Sequence, residues 1–215
     1  MWFRNFLRKL LGRQNPPSEP KKYDPPAPNV SVPLLCGYEI QTTASATATI
    51  INPDKGLLLT ARHAIEKCTQ FMFRYQGTWF LADLVYADPE NDLALLATSP
   101  EALRDAPRLQ WKIGVTADEK VAIRGYVRSH EDSKEAFKLK RITGKITGAS
   151  ENWGWEITQD TNDPESHEGM SGSPVLDQDN KLVGIYTHCG RSFLYATCPR
   201  GNLLQKIEEC STPYI

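Results

Sequence analysis

From about Val32 onward, apolar and polar residues alternate or cluster in short runs, a pattern that predicts strands rather than helices. Cys36–Thr42, Ala46–Asn52 and Leu57–Thr60 are predicted as the first three. Asn52-Pro53-Asp54-Lys55-Gly56 supplies the turn before the third. Ala61–Cys68 reads as a short helical turn. Phe71–Tyr75, Thr78–Tyr86 and Leu93–Ala97 complete a first series. Thr98–Leu109, with Pro100 and Pro107, reads as a connection between domains. The second series is Lys120–Tyr126, Phe137–Gly148, Gly154–Thr158, Ser173–Leu176, Lys181–Tyr186 and Phe193–Thr197. Leu203–Cys210 is predicted as a closing helix. Two such series predict an all-β chain, built as paired barrels or a sandwich. No internal repeat of sequence accompanies them.

The N-terminal stretch follows another rule. Trp2, Phe3, Phe6, Leu7, Leu10 and Leu11 recur at helical spacing, and Arg4, Asn5, Arg8 and Lys9 fall on the opposite face. A basic amphipathic helix over residues 1–13 suits a membrane surface or the groove of a partner protein. Packing back on its own domain is the other reading. Residues 14–31 form a proline-rich linker, with Pro16, Pro17, Pro20, Pro25, Pro26 and Pro28 keeping the chain extended. The globular part then divides at 32–109 and 110–215.

Charge narrows the partners. The formal net charge of the 215 residues is −1, which gives no electrostatic case for nucleic acid. No apolar run approaches the roughly 20 residues that span a bilayer. The five cysteines, Cys36, Cys68, Cys189, Cys198 and Cys210, are an odd number, so at least one thiol is free or pairs outside the chain. No Cys-x-x-Cys supports a zinc site. Cys189 and Cys198 could bridge a hairpin. The cysteine usage fits a reducing compartment, hence the cytoplasm or its membrane face.

The chemistry lies in three contexts. Gly169-Met170-Ser171-Gly172-Ser173-Pro174 suits a tight turn that presents the Ser171 hydroxyl. Ser173 is the rival, but it opens the next strand. His63 follows the apolar run Leu57-Leu58-Leu59, where a strand end can offer an imidazole as general base. Asp92 ends an acidic turn just before Leu93-Ala94-Leu95-Leu96, where its carboxylate can orient a histidine. Asp83 and Asp88 are the rival carboxylates. A hydroxyl needs such a base to become a nucleophile. The backbone N–H groups of Gly169 and Ser171 can converge as an oxyanion hole. No metal and no organic cofactor is called for.

The order His63, Asp92, Ser171, in Thr-Ala-Arg-His, Asn-Asp-Leu-Ala-Leu-Leu and Gly-Met-Ser-Gly-Ser-Pro-Val, resembles the chymotrypsin-like (trypsin-like) serine peptidases. Gly169 to Gly184 is most similar to the glutamyl endopeptidase and HtrA branch. The resemblance implies two antiparallel six-stranded barrels, with His63 and Asp92 on the first, Ser171 on the second, and protein or peptide as substrate. It implies that the strand after the serine lines the specificity pocket, through Tyr186, Thr187 and His188. Tyr186 stands where glutamate-selective members have histidine. Glu165, six residues before Ser171, would form the pocket floor and select basic substrates. Met170 replaces the aspartate that pairs with a new N-terminus in many animal members, so no activating cleavage is expected. Two other classes stay open: a catalytically silent binding module on the same fold, and an interaction protein whose function lies in residues 1–13.

Overall fold

A computed structural model describes residues 29–38, 42–112, 114–128, 137–150, 154–160, 167–190 and 193–211. The predicted helix over 1–13, linker residues 14–28 and Glu165 lie outside these residues.

Strands β1 (Ser31–Tyr38), β2 (Thr42–Asn52), β3 (Leu57–Ala61), β4 (Gln70–Tyr75), β5 (Thr78–Asp88) and β6 (Leu93–Ala97) close into one barrel in the order β1-β2-β3-β6-β5-β4. Strands β7 (Lys120–Arg128), β8 (Phe137–Ser150), β9 (Gly154–Gln159), β10 (Pro174–Asp177), β11 (Leu182–Cys189) and β12 (Leu194–Thr197) close a second. Read from β7, its order is β7-β8-β9-β12-β11-β10, the same path as the first. The architecture therefore repeats although the sequence does not. Strand topology needs only alternation and turns, which different residues satisfy equally well. Of the two predicted solutions, paired barrels is the one formed.

Alternation is plainest in β4, where Phe71, Phe73 and Tyr75 point into the barrel and Gln70, Met72 and Arg74 point out. Strands β3 and β6 break the rule because both of their faces are covered. Leu58, Ala94 and Leu96 line the first barrel's interior. Leu57, Leu59, Leu93 and Leu95 face the other way, into a cluster with Leu176, Leu182 and Ile185 of the second barrel. Leu203 and Ile207 of the closing helix α1 (Gly201–Ser211) complete that cluster. Each of these four leucines is at most 2% exposed. The continuous apolar runs in the sequence are thus the seam between the barrels. Both candidate site residues of the first barrel hang from its ends, His63 just past β3 and Asp92 just before β6.

Two sequence expectations are corrected here, the bounds of the first strand and the end of the linker. The first strand runs Ser31–Tyr38, not Cys36–Thr42. The prolines before it disguise its start. Pro33 is tolerated because β4 pairs with β1 only from Leu34 onward. Val30, inside the predicted linker, is fully buried, and its carbonyl accepts the Ile50 N–H at 2.8 Å. The short helical turn expected over Ala61–Cys68 takes the form of successive tight turns once β3 has ended at Ala61, with Ile65 N–H bonded to Arg62 O and Cys68 N–H to Ile65 O. Of the two readings open for Cys189 and Cys198, the unbridged one is found. In the β11–β12 ladder Cys189 pairs with Leu194, while Cys198 lies past Thr197, which pairs with Ile185 at the far end. The Cys198 thiol donates instead to Val183 O at 2.8 Å, and burial raises its pKa.

Among the described residues no helix is long and apolar enough to cross a membrane. The inter-barrel leucines carry the stability of the pair. Leu59→Ala is expected to cost about 2–5 kcal/mol in urea unfolding, whereas Leu81→Ala, at a position 72% exposed, should fall within about 0.5 kcal/mol of the parent.

Candidate active site

The β3–β6 ladder sets the first half of the site. Ala61 pairs with Leu93, and one step further Arg62 N–H donates to Asp92 O at 2.9 Å. Arg62 therefore stands opposite Asp92, and His63 is the next residue along. The His63 backbone N–H donates to Asp92 Oδ1 at 2.9 Å, and its ring Nδ1 lies 2.6 Å from Asp92 Oδ2. Asp92 adopts φ 51°, a left-handed conformation uncommon for a residue with a side chain. The turn that imposes it is held by Asp88, the rival carboxylate. Asp88 is buried, its Oδ1 accepting the N–H groups of Glu90 and Asn91 and its Oδ2 the Asn91 amide. Asp83 pairs with Ala97 at the opposite end of the ladder, away from His63. Each acidic residue of this stretch thus has a separate position, and Asp92 alone meets the histidine.

Ser171 comes from the second barrel, 108 residues after His63, and its Oγ lies 3.0 Å from His63 Nε2. Gly169 and Gly172 flank it, both at φ +94°. A Cβ on Gly172 would collide with the Thr47 carbonyl, so the turn demands glycine for space as well as for angle. Ser173 is excluded as the reacting hydroxyl by its own contacts: it is fully buried and its Oγ donates to Met170 O. Met170 packs in the core of the second barrel.

Sequence reasoning missed what holds this turn. Thr47 N–H donates to Ser171 O at 2.9 Å, Thr47 Oγ1 to Gly169 O at 2.9 Å, and Thr49 Oγ1 to Gly172 O at 2.8 Å. Thr47 Oγ1 also accepts the Tyr126 N–H, and Thr60 Oγ1 donates to Thr47 O. All three threonines are completely buried. On the second-barrel side, Met170 N–H is bonded to His167 O, Gly172 N–H to Tyr186 O and Ser173 N–H to Met170 O. Among the described residues, the N–H groups of Gly169 and Ser171 have no acceptor, which leaves them available to an oxyanion. The signal for the threonines was present as Ala46-Thr47-Ala48-Thr49, which sequence alone reads as a strand with one wet face.

The predicted pocket residues separate. Tyr186 is 1% exposed within the second barrel's core, where burial raises its pKa. It does not face the cleft. Strict alternation would put Tyr186 and His188 on the same face, but the β11–β12 register slips between them. That bulge turns His188 toward the first barrel. Thr187 side chain is buried, and its carbonyl accepts from Ser171 Oγ at 3.3 Å. His188 Nδ1 lies 3.5 Å from Asp92 Oδ2, and its ring centroid is 4.8 Å from that of His63 at 44°. Burial lowers the His188 pKa; the Asp92 charge opposes this and His63 adds to it. Burial therefore favours the neutral ring.

The trypsin-like peptidase domain family matches residues 46–185, well over half of the chain. Solved structures share the fold. The Rv3671c protease of M. tuberculosis in its active form superposes with a TM-score of 0.68 at 17% identity, over 87% of this chain and 83% of that one. The HtrA-type protease AlgW with tripeptide gives 0.66 at 21% identity, over 85% of this chain and 60% of its own. The serine endoprotease from Yersinia pestis gives 0.64 at 21% identity, over 86% and 63%. No curated protein sequence matches.

The threonine contacts predict a specific defect. Thr47→Val keeps the shape but leaves the Tyr126 N–H and the Gly169 carbonyl unpaired, at about 1–3 kcal/mol for each group. Denaturant unfolding should show that loss, and hydrolysis of a peptide substrate should fall by at least about tenfold in kcat.

Proposed function

Because the chain belongs to the trypsin-like peptidase family, we propose that it is a serine endopeptidase working through an acyl-enzyme, with Ser171 as nucleophile, His63 as base and Asp92 as its orienting partner. The observation that carries this reading is the unbroken contact series from Asp92 Oδ2 through the His63 ring to Ser171 Oγ, at 2.6 and 3.0 Å.

The steps follow from those contacts. Asp92 fixes the ring proton on Nδ1, so the Nε2 lone pair faces the hydroxyl. As Ser171 Oγ bonds to the scissile carbonyl carbon, its proton passes to Nε2. The Asp92 carboxylate stabilises the imidazolium. The carbonyl oxygen, now negative, is held by the N–H groups of Gly169 and Ser171, each donor contributing about 2.7–4 kcal/mol to the transition state. His63 then protonates the departing amine as the C–N bond breaks. Water then gives a proton to His63 as its oxygen bonds to the acyl carbon, and His63 returns that proton to Ser171 Oγ as the C–Oγ bond breaks and the acid leaves. No step uses a metal or a cofactor.

The substrate is a protein or peptide, bound in extended form along β11 as an added strand. Met170, buried in an apolar core, offers no charge for an activating ion pair at that position. The reading includes a reducing location, on the cytoplasmic side, in keeping with the odd number of cysteines in the sequence.

Two measurements test this. A serine-directed fluorophosphonate should label the protein once, and Ser171→Ala should abolish labelling and lower kcat by at least about a thousandfold. Labelling that survives in the alanine variant would identify a different serine; an unlabelled parent would favour the silent binding module. A form starting at Asn29 should keep the kcat/KM of the full chain on a short peptide, since the Gly169–Ser171 turn is fixed by residues that all lie after that point. An inactive truncated form would show that the turn depends on the N-terminal segment.

A further inference from the structure

We propose that His63, Asp92 and His188 form a binding site for a divalent transition-metal ion of the zinc type, and that filling it switches the enzyme off. The inhibitory half rests on the reading of His63 as the base; the binding half does not.

The donors come from three elements of both barrels. His63 follows β3, Asp92 precedes β6, and His188 is turned into the cleft by the bulge in β11. One ligand atom from each can be chosen so that all three lie within 4.8 Å of one another. Both Nδ1 atoms address the same oxygen, Asp92 Oδ2, at 2.6 and 3.5 Å. Two imidazoles and a carboxylate are ligands of zinc, whose bonds of about 2.0–2.2 Å place neighbouring ligand atoms roughly 3.3–3.5 Å apart. The His188–Asp92 spacing already meets that figure. The His63–Asp92 contact would have to open by less than about 1 Å, a change within reach of side-chain rotation. The site is open to solvent, with the His63 and His188 side chains 38% and 33% exposed. A fourth position is thereby left for water. Magnesium and calcium, which seek oxygen ligands, fit this donor set poorly.

Inhibition follows from the tautomer. A neutral imidazole carries one ring proton. With Asp92 accepting from Nδ1, that proton is on Nδ1 and Nε2 is free to receive one. A metal bound at Nδ1 moves the proton to Nε2, 3.0 Å from Ser171 Oγ. The nitrogen that has to accept a proton then already holds one. No bond is made to substrate and no electron is transferred; the ion only fixes the wrong tautomer.

The test uses zinc chloride and the full chain. Calorimetric titration into Ser171→Ala should give one ion per chain, and His188→Ala in that background should weaken it by at least about tenfold. His188→Asn replaces the alanine variant if that one does not fold. In the active chain, the zinc concentration for half-inhibition should rise by a similar factor in His188→Ala, each variant being referred to its own zinc-free rate. EDTA should restore activity and magnesium chloride should leave it unchanged. Equal zinc affinity with and without His188 would overturn the proposal. So would loss of binding in Cys189→Ser with retention in His188→Ala, which would place the ion on the neighbouring exposed thiol. A parent with no peptidase activity would sink the proposed function while the calorimetric result still decided the metal site.

Discussion

Three carbonyl oxygens of the serine turn, those of Gly169, Ser171 and Gly172, are all satisfied by one strand of the other barrel. This contact governs the rest of the site. A peptide plane has two ends, so fixing a carbonyl fixes the N–H on the far side of the same plane. Met170 O is occupied by Ser173, so the Ser171 N–H in the same plane is turned the opposite way. The first barrel fixes the neighbouring planes, those that carry the Met170, Gly172 and Ser173 N–H groups, and so holds the turn on both sides of that donor. Such donors act in a transition state only if they need not reorganise when charge appears. Fully buried threonines, bonded on both sides, supply that rigidity.

The threonine contacts hold because an apolar interface keeps the barrels in register. Leu57, Leu59, Leu93 and Leu95 fill the space between the two barrels and the closing helix, and each is screened from water. Hydrophobic burial has no direction, so it brings the barrels together without fixing them at the 3 Å level. The hydrogen bonds from Thr47 and Thr49 have direction but would contribute little if water could compete for them. The two kinds of interaction divide the task. Strands β3 and β6 serve both, because their ends also carry His63 and Asp92.

The elements that announced themselves in the sequence were those with one clear neighbour environment. Strand β4 alternates and was found almost to the residue; Gly169 to Pro174 needs a special backbone and declared its serine. His63 and Asp92 were legible because each stands where an apolar run meets a turn. What stayed hidden depended on contacts between distant segments. Thr47 and Thr49 resemble the outward residues of any half-wet strand until a second barrel covers them. The bulge in β11 is set by pairing with β12, not by its own residues, and it separates Tyr186 from His188. Whether the hairpin cysteines meet could not be read from their spacing, and the ladder puts them at opposite ends. Proline in β1 concealed a strand because its one exposed edge cannot be read from the chain.

Backbone strain gathers at the same place. Asp92, Gly169 and Gly172 all adopt positive φ, and the three meet around the His63 ring and the Ser171 hydroxyl. At the two glycines the conformation is nearly free, and the lack of a side chain is what the crowding by Thr47 and Tyr126 requires. At Asp92 it costs about 1–3 kcal/mol, since a side chain is present. Glycine would remove that cost, yet it would also remove the carboxylate that receives both the backbone N–H and the ring of His63. The strained residue is thus held by the contacts it makes: Arg62 N–H on its carbonyl, His63 on its carboxylate, and the Asp88 turn behind it. Gln76, Asp118 and Asn180 share the left-handed conformation at turns elsewhere, but at Asp92 it keeps an imidazole fixed between an acid and an alcohol.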